Sequence, residues 1–302
     1  MAGSVSVVIP TKGRPQIAAR LAASLASQTR PPDHIYVVGA SAADVADVAP
    51  RKGVSVIVGR PGLCSQRNDA LDAGASESDV IVFFDDDFAP SKFWLERVEA
   101  IFADAREIVA VTGRVLDDGA KTPGIDPDAA WAQVEAQDAA APARARSGVD
   151  IVAAGFEIDA EPFGYGCNIA FRGATARGSR FDERLPLYGW LEDRDFTSRM
   201  RRHGLYGRAE ALWGVHMGAK SGRVSGVKLG YSQIANLAYL VEKGTTDPGF
   251  ALKLVSRNLM ANLAKSIKPE PWIDRRGRLK GNMLALADLA RGQVRPERAK
   301  EL

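Results

Sequence analysis

Three consecutive aspartates, Asp85–Asp87, directly follow the apolar run Val80–Phe84. Neighbouring carboxylates repel one another, so a positive partner is expected among them. Hard oxygen ligands suit Mg²⁺ or Mn²⁺, which proteins usually share with a substrate phosphate. A solvated acidic loop, or Asp87 capping a helix that starts near Ser91, are the alternatives. A cap needs only one carboxylate, so the triplet favours a metal–phosphate site.

A second acidic cluster lies in the stretch GWLEDRDFTSRMRRHG, residues 189–204. On a helix with about 100° between successive residues, Phe196 and Met200 define the face that points inward. Asp193 lies roughly 40° from the centre of this face and Glu192 about 60°. The spacing therefore favours Asp193 as the buried acid, with Glu192 close behind. Acids at a fraying helix N-terminus explain the pattern equally well.

Three other polar or aromatic residues accompany these clusters. Asp195 lies about 120° from the inward face and has Arg199 one turn later, which predicts an exposed ion pair. For His216, in WGVHMGAK, a satisfied loop histidine is the simpler interpretation. A metal with two carboxylates and a diphosphate has room for one imidazole, so His216 stays a candidate ligand. Trp190 could stack on a sugar or belong to the core.

Strand and helix patterns alternate in the first part of the chain and position the aspartates. The predicted strands are Ser4–Ile9, His34–Gly39, Val54–Gly59, Val80–Phe84 and Ile108–Thr112, and the predicted helices are Gln16–Ser27, Ala42–Val48, Ser65–Ala75 and Lys92–Ala103. This alternation implies right-handed βαβ units and a largely parallel sheet. Ligands gather at the carboxyl ends of such strands, where PTKGR, GAS and the aspartates fall.

Later segments are less regular. Residues 116–146 are rich in Ala, Asp, Pro and Gly, and we expect a long surface excursion there. A short strand is predicted within Gly164–Gly173 and a helix at Leu191–His203. From the chain length we expect one large domain with an appendage. The domain boundaries predicted are 1–220 for the catalytic part, with nucleotide binding at about 1–115 and acceptor binding at about 150–220, and 221–302 for a C-terminal helical extension.

Composition excludes several classes of protein. The chain has 302 residues, of which 46% are hydrophobic and 25% charged, with a net charge of +3, too mild to indicate nucleic acid. No signal peptide or membrane span is evident, so a cytoplasmic location is expected. Cys64 and Cys167 lack metal-binding spacing and should be buried free thiols. A GxGxxG after the first strand and a DxDxT motif are missing, which disfavours dehydrogenases and aspartyl-phosphate phosphatases.

The segment Gly249–Ile267 predicts a basic amphipathic helix. Its apolar side carries Phe250, Leu254, Leu259, Leu263 and Ile267, and its basic residues are Lys253, Arg257, Lys265 and Lys268. With Trp272 nearby, such a helix could lie on an anionic membrane surface. A helix that packs on the catalytic domain with a solvated basic face is at least as well supported.

Five stretches, in order, resemble the family 2 glycosyltransferases of the GT-A fold. They are SVVIPTKGR, GLCSQRNDAL, FFDDDFAP as the DxD motif, GYGCNIAFR as the acceptor strand, and LEDRDF with a later Arg as the ED motif. The resemblance covers about Ser4–Gly218. It implies an α/β, Rossmann-like GT-A fold with a mostly parallel central sheet flanked by helices, followed by the C-terminal helical extension.

The resemblance also implies roles for single residues. The donor, a nucleotide-diphosphate sugar, would be bound by Pro10, Thr11, Arg14, Gly39, Arg67, Asn68, Asp85 and Asp86. Mn²⁺ or Mg²⁺ would be held by Asp85, Asp87 and His216. The acceptor would be bound by Gly166, Asn168 and Trp190. Gly39 stands where the family usually has an acid, so UDP, GDP and dTDP remain open.

An inverting transfer to a glycan hydroxyl is the reaction that the resemblance implies. Asp193 would be the general base, beside Glu192, and no general acid is needed. The expected acceptor is a polysaccharide or lipid-linked oligosaccharide, with peripheral contact at the inner face of the inner membrane. Other interpretations are a nucleotidyltransferase, or a catalytically inactive carbohydrate-binding or scaffold protein on the same fold.

Overall fold

The computed structural model describes residues 3–141, 156–158 and 164–302 of the chain. The strands in these ranges are β1 (Val5–Thr11), β2 (His34–Gly39), β3 (Val54–Val58), β4 (Val80–Phe84), β5 (Phe88–Pro90), β6 (Ile108–Asp118), β7 (Phe156–Ile158), β8 (Asn168–Arg172) and β9 (Leu205–His216). The α-helices are α1 (Pro15–Ser24), α2 (Leu63–Asp72), α3 (Trp94–Asp104), α4 (Pro127–Ala140), α5 (Gly173–Ala176), α6 (Glu192–Met200), α7 (Gly226–Glu242), α8 (Pro248–Lys265) and α9 (Arg275–Ala290).

All described strands belong to one sheet, in the order β3-β2-β1-β4-β8-β6-β9-β5, with β7 also paired to β9. The first four strands in this order are parallel to one another. β8 runs antiparallel to both neighbours, and β5 and β7 run antiparallel to β9, whereas β6 and β9 are parallel. The half of the sheet formed by β8, β6, β9 and β5 therefore contains both parallel and antiparallel pairs. The α/β class predicted from the sequence is confirmed.

The central strands β1 and β4 are buried on both faces of the sheet. Every residue of β1 and β4 is buried, as their largely β-branched and aromatic composition predicts. Alternate residues of β1 point to opposite faces, so Val7 packs with α1 and α3 while Val8 packs with α2. Because Val8 lies opposite Phe83 in the parallel pair, the carboxyl ends of β1 and β4 lie side by side. This register brings the PTKGR loop next to the aspartates.

The prediction of a long surface excursion at residues 116–146 is wrong for the part of this stretch that the structure describes. β6 continues to Asp118, and α4 follows, capped by Asp126. Alanine is the best helix former, so an Ala-rich segment forms a helix even without a strong apolar stripe. Asp138 on α4 accepts hydrogen bonds from the Ser91 hydroxyl at 2.6 Å and the Trp213 indole at 2.8 Å. Residues 142–146 lie outside the described residues.

Helices α7, α8 and α9 follow the sheet, as the sequence predicts for the last part of the chain. α7 and α9 approach closely, because a Cβ on Gly230 would lie 2.1 Å from the Arg278 carbonyl oxygen. The Asn236 amide of α7 donates to the Trp190 carbonyl at 2.9 Å, which ties this helix to the loop before α6. The expected domain boundary near 220 stays a prediction. Within the described ranges, no helix combines the length and the apolar character needed to span a bilayer.

Candidate metal and acid–base site

The aspartates form a turn between β4 and β5. Asp85 is partly exposed, whereas Asp86 and Asp87 are 1% and 3% exposed. The Phe88 amide donates to the Asp85 carbonyl at 3.0 Å, so β5 begins at once and no helix is capped by Asp87. β5 pairs with β9 so that Phe88 lies opposite His216. This pairing carries the histidine to the aspartates.

Arg14 is a positive partner of the aspartates within the chain itself. Its Nη1 lies 2.9 Å from Asp87 Oδ2 and its Nη2 3.0 Å from Asp86 Oδ1. The Thr11 hydroxyl donates to Asp86 at 2.7 Å, and the Ala219 amide donates to Asp87 at 2.7 Å. The repulsion noted in the sequence is therefore relieved in part by the Arg14 guanidinium.

Asp85, Asp87 and His216 form the predicted metal set. Each offers one ligand atom, and these atoms lie within 4.8 Å of one another. His216 Nε2 is 3.5 Å from Asp87 Oδ1. Two carboxylate oxygens and an imidazole nitrogen are ligands that suit Mn²⁺, and Mg²⁺ through the oxygens. The residues present thus fit a divalent cation.

Asp118 and Tyr165 fix the His216 ring, and sequence reasoning missed both. Asp118 Oδ1 lies 2.9 Å from His216 Nδ1, and the Tyr165 hydroxyl donates to Asp118 Oδ2 at 2.7 Å. A carboxylate at Nδ1 leaves Nε2 directed to the metal set, as in many histidine-ligated metal sites. Asp118 lies in the stretch expected to be an excursion, and only the β6–β9 pairing, with Asp118 opposite His216, reveals it.

The site shifts several pKa values. Burial lowers the pKa of His216, but the hydrogen bonds to Asp118 and Asp87 outweigh it and raise that pKa to about 10. Burial raises the pKa of Asp86 to about 7, although Arg14 opposes the shift. For Asp87, burial is outweighed by His216 and Arg14, so its pKa lies below the ordinary value. The imidazole must therefore lose a proton before it can bind a metal.

The side chains of Arg67 and Asn68, both on α2, make their contacts with other residues in the protein interior. The Arg67 guanidinium, fully buried, lies 2.6 Å from Glu192 and 3.2 Å from Asp85. The Asn68 amide donates to the Phe181 carbonyl at 2.9 Å and accepts from the Phe181 amide at 2.8 Å. Arg67 thus joins the two acidic clusters, and Asn68 holds the loop before α6. Their predicted contact with a donor stays a prediction.

Asp193 and Glu192 begin α6 and differ in access. Asp193 is partly exposed and accepts from the Gly166 amide at 2.9 Å, while Glu192 is only 6% exposed. Burial raises the pKa of Asp193. Burial and the neighbouring Asp193 raise the pKa of Glu192 to about 8, against the charge of Arg67. A Cβ on Gly166 would lie 3.1 Å from the Glu192 carboxylate, so a small residue is needed there.

The prediction that Asp195 is exposed is wrong. Its ion pair with Arg199 is present at 3.1 Å, but Asp195 is 0% exposed. Lys243 Nζ lies 2.8 Å from Asp195, and the Thr245 hydroxyl donates to it at 2.9 Å. The end of α7 covers this side of α6, and a helical wheel of α6 alone does not contain that contact.

The loop before α6 has a left-handed backbone at three positions. Leu187, Gly189 and Leu191 have φ of 61°, 62° and 74°. For the two leucines this costs about 1–3 kcal/mol each, and such conformations cluster at functional sites. Tyr188, which sequence reasoning also missed, is 53% exposed on this loop. Trp190 is partly buried against the apolar core.

Other predicted residues lie in the sheet or at its edge. Pro10 is buried in β1, opposite Val38 of β2. Asn168 is 0% exposed, and its side-chain oxygen accepts from the Gly113 amide at 2.6 Å. A Cβ on Gly39 would lie 2.9 Å from the Asp44 Cβ, so the strand end has no room for a side chain.

Known proteins share this architecture. Residues 6–147 match the model described as Glycosyl transferase family 2, which confirms the sequence resemblance over this part of the chain. No curated protein matches the sequence.

Similar solved structures are glycosyltransferases. Residues 1–349 of TarS from S. aureus are 16% identical with a TM-score of 0.57, covering 99% of this chain and 83% of that one. The same TarS segment in complex with UDP-GlcNAc has 16% identity, a TM-score of 0.56 and the same coverage. The mannosyltransferase PcManGT from Pyrobaculum calidifontis, in complex with GDP-Man and Mn²⁺, has 16% identity and a TM-score of 0.52, covering 100% of this chain and 79% of that one. These similarities show the GT-A fold.

Proposed function

We propose that this chain, whose residues 6–147 match the Glycosyl transferase family 2 model, is an inverting, metal-dependent glycosyltransferase. It would move a sugar from a nucleotide-diphosphate sugar to a hydroxyl of a glycan acceptor. One observation carries the proposal: the Arg67 guanidinium contacts both Asp85 of the metal set and Glu192, the neighbour of Asp193. The candidate metal ligands and the candidate carboxylate base would thus be held at one site.

Asp85, Asp87 and His216 would hold Mn²⁺ or Mg²⁺. When bound, the ion would stabilise the charge that develops on the leaving diphosphate. Asp118 would keep His216 Nδ1 occupied, so that Nε2 is the nitrogen free to bind. Arg14 pairs with Asp86 and Asp87 and would hold these two carboxylates close together before a donor binds.

Asp193 would act as the general base. It takes the proton of the acceptor hydroxyl while the hydroxyl oxygen bonds to the anomeric carbon. The bond from that carbon to the diphosphate oxygen breaks, and its electron pair leaves with the nucleoside diphosphate. One displacement inverts the anomeric centre. Asp193 suits this role better than Glu192, because Asp193 is partly exposed whereas Glu192 is buried against Arg67. The raised pKa of Asp193 makes it a stronger base than an ordinary aspartate.

Similar structures support the donor class, and the acceptor class is part of the proposal. The similar structures contain GDP-Man with Mn²⁺ and UDP-GlcNAc, which supports a nucleotide-sugar donor here. For the acceptor we propose a polysaccharide or lipid-linked oligosaccharide, assembled in the cytoplasm at the inner membrane face. The exposed Tyr188, close in sequence to Asp193, offers an aromatic surface for an acceptor sugar.

Thermal unfolding with nucleotides tests the proposal. UDP, GDP or dTDP should raise the melting temperature only when Mn²⁺ or Mg²⁺ is present. Asp87→Asn should abolish this metal-dependent shift, while Asp117→Asn, on the exposed neighbour of Asp118, should keep it. Equal shifts with and without metal would refute metal-dependent donor binding. Binding without turnover of any sugar nucleotide in a panel would instead indicate an inactive carbohydrate-binding or scaffold protein.

A further inference from the structure

Helix α8 presents an apolar stripe to solvent. Its members are Leu252, Met260, Leu263 and Ile267, exposed by 69%, 69%, 58% and 83%, with Ile267 just beyond the helix end. At 100° per residue these side chains fall within about 80° of one another. Single exposed apolar residues are ordinary. Four on one stripe, about 22 Å long at 1.5 Å per residue, mark an interaction surface.

The opposite side of α8 holds the helix to the protein. Ala251 and Leu254 are buried there. The Asn262 amide, 1% exposed, donates to Asn282 of α9 at 2.9 Å and to Gln233 of α7 at 3.0 Å. These contacts fix the rotation of α8, so the apolar stripe is directed away from the other two helices.

Basic residues flank the stripe. Lys253, Arg257 and Lys268 are exposed and, by helical spacing, lie within about 80° of Met260. Residues 248–269 contain no acid. Among the described residues, no carboxylate pairs with these three side chains, whereas Lys265 pairs with Glu270 at 2.5 Å. A partner must therefore offer an apolar layer beside negative charge.

We propose that α8 docks on the surface of an anionic lipid bilayer. The apolar stripe would lie at the boundary of headgroups and acyl chains, and the basic row would contact headgroup phosphates. A second copy of the chain fits less well, because it brings the same basic row and α8 has no acid to pair with it. This inference depends on α8 and not on the proposed reaction.

The docking surface is linked to the candidate site. The Trp272 indole donates to the Lys121 carbonyl at 3.1 Å, and Lys121 lies three residues after Asp118. The segment that follows α8 therefore contacts the chain close to Asp118, the carboxylate that positions His216. A docked α8 would hold the site near the bilayer, where the proposed lipid-linked acceptor would lie.

Vesicle co-sedimentation of the full chain tests the proposal. Wild type should bind vesicles of equimolar phosphatidylcholine and phosphatidylglycerol and not vesicles of phosphatidylcholine alone, and added salt should weaken binding. Met260→Gln/Leu263→Gln should reduce partitioning at least tenfold. Lys253→Gln/Arg257→Gln should reduce it roughly 30-fold, because each basic residue near such a surface contributes about fivefold.

Val56→Gln/Val58→Gln is the matched control, since both valines are exposed at the edge strand β3. It should bind vesicles like wild type, and all variants should keep their melting temperature.

Absence of wild-type binding to either vesicle, or unchanged binding by Met260→Gln/Leu263→Gln, would overturn the proposal. So would self-association of wild type that Met260→Gln/Leu263→Gln abolishes, because a second copy would then cover the stripe. Metal-dependent nucleotide binding should be the same in every variant, so failure of the docking proposal and failure of the proposed reaction are distinguishable.

Discussion

The guanidinium of Arg67 lies 2.6 Å from the carboxylate of Glu192, and both side chains are buried. The same guanidinium reaches Asp85 at 3.2 Å and the Gly166 carbonyl at 3.0 Å. A single cation on α2 thus fixes the start of α6 relative to the end of β4. The distance between the metal set and the candidate base depends on this contact.

Arg67→Met should lower the free energy of unfolding by about 3–5 kcal/mol, because it leaves buried carboxylates without their partner. Adding Glu192→Gln should recover part of this loss, since a buried carboxyl that has lost its hydrogen-bond donor is then replaced by a neutral amide. Urea unfolding of the two single variants and the double variant measures the coupling. Arg60→Met is the control, because Arg60 is half exposed and its pair with Asp69 should contribute less than about 1 kcal/mol. Additive losses for Arg67 and Glu192 would contradict the coupling.

Asp193→Asn should lower kcat about 10²–10⁴-fold, because the acceptor hydroxyl loses its base. Metal-dependent nucleotide binding should stay near the wild-type value, since Asp193 is outside the metal set. Steady-state kinetics with the best donor of a sugar-nucleotide panel measures the first quantity and calorimetry the second. Asp128→Asn, which removes a highly exposed acid from α4, should leave both unchanged. Near-normal turnover by Asp193→Asn would assign the base to another residue.

Metal affinity should rise with pH, because His216 has a pKa of about 10 and must lose its proton to bind an ion. Between pH 7 and 9 the rise should approach about tenfold per pH unit. Asp118→Asn should lower the pKa of His216 and move this rise to lower pH. The same change should weaken Mn²⁺ binding at high pH by about 10–100-fold, because the ring is no longer oriented. Mn²⁺ titration followed by electron paramagnetic resonance measures both effects.

Asp117→Asn is the control for that titration, since the adjacent carboxylate is exposed and lies outside the His216 contacts. It should reproduce the wild-type pH profile. A uniform loss of affinity in Asp118→Asn without a shift of the profile would indicate a structural role only.

Glu192→Gln should change how stability depends on pH. The folded chain holds the proton of Glu192 up to about pH 8, whereas the unfolded chain releases it near 4.5. Between these values the unfolded state binds fewer protons, so this group's contribution is present below pH 4.5 and is lost as pH rises through 8. Wild type should therefore lose stability relative to Glu192→Gln over this window. The free energies of unfolding of wild type and Glu192→Gln can be measured with urea at pH 5, 7 and 9. A difference between them that is the same at all three pH values would contradict this prediction.

The sequence alone predicted the strands of the parallel half of the sheet and the place of the first acidic cluster. β2 and β4 have the bounds that the apolar runs predict, because a fully buried strand needs an unbroken apolar run. The strand-end position of Asp85–Asp87 followed from the parallel topology. The metal set with His216 was implied by motif resemblance, and the structure brings these residues together.

Only the tertiary structure decided which side chains surround those acids. Asp195 is buried because α7 covers α6. Asp118 reaches His216 because β6 runs on to pair with β9. Arg14 and Arg67 neutralise the aspartates from loops and helices distant in sequence. A periodic pattern reports how one element meets the core, whereas the partner of a charge depends on which elements pack together.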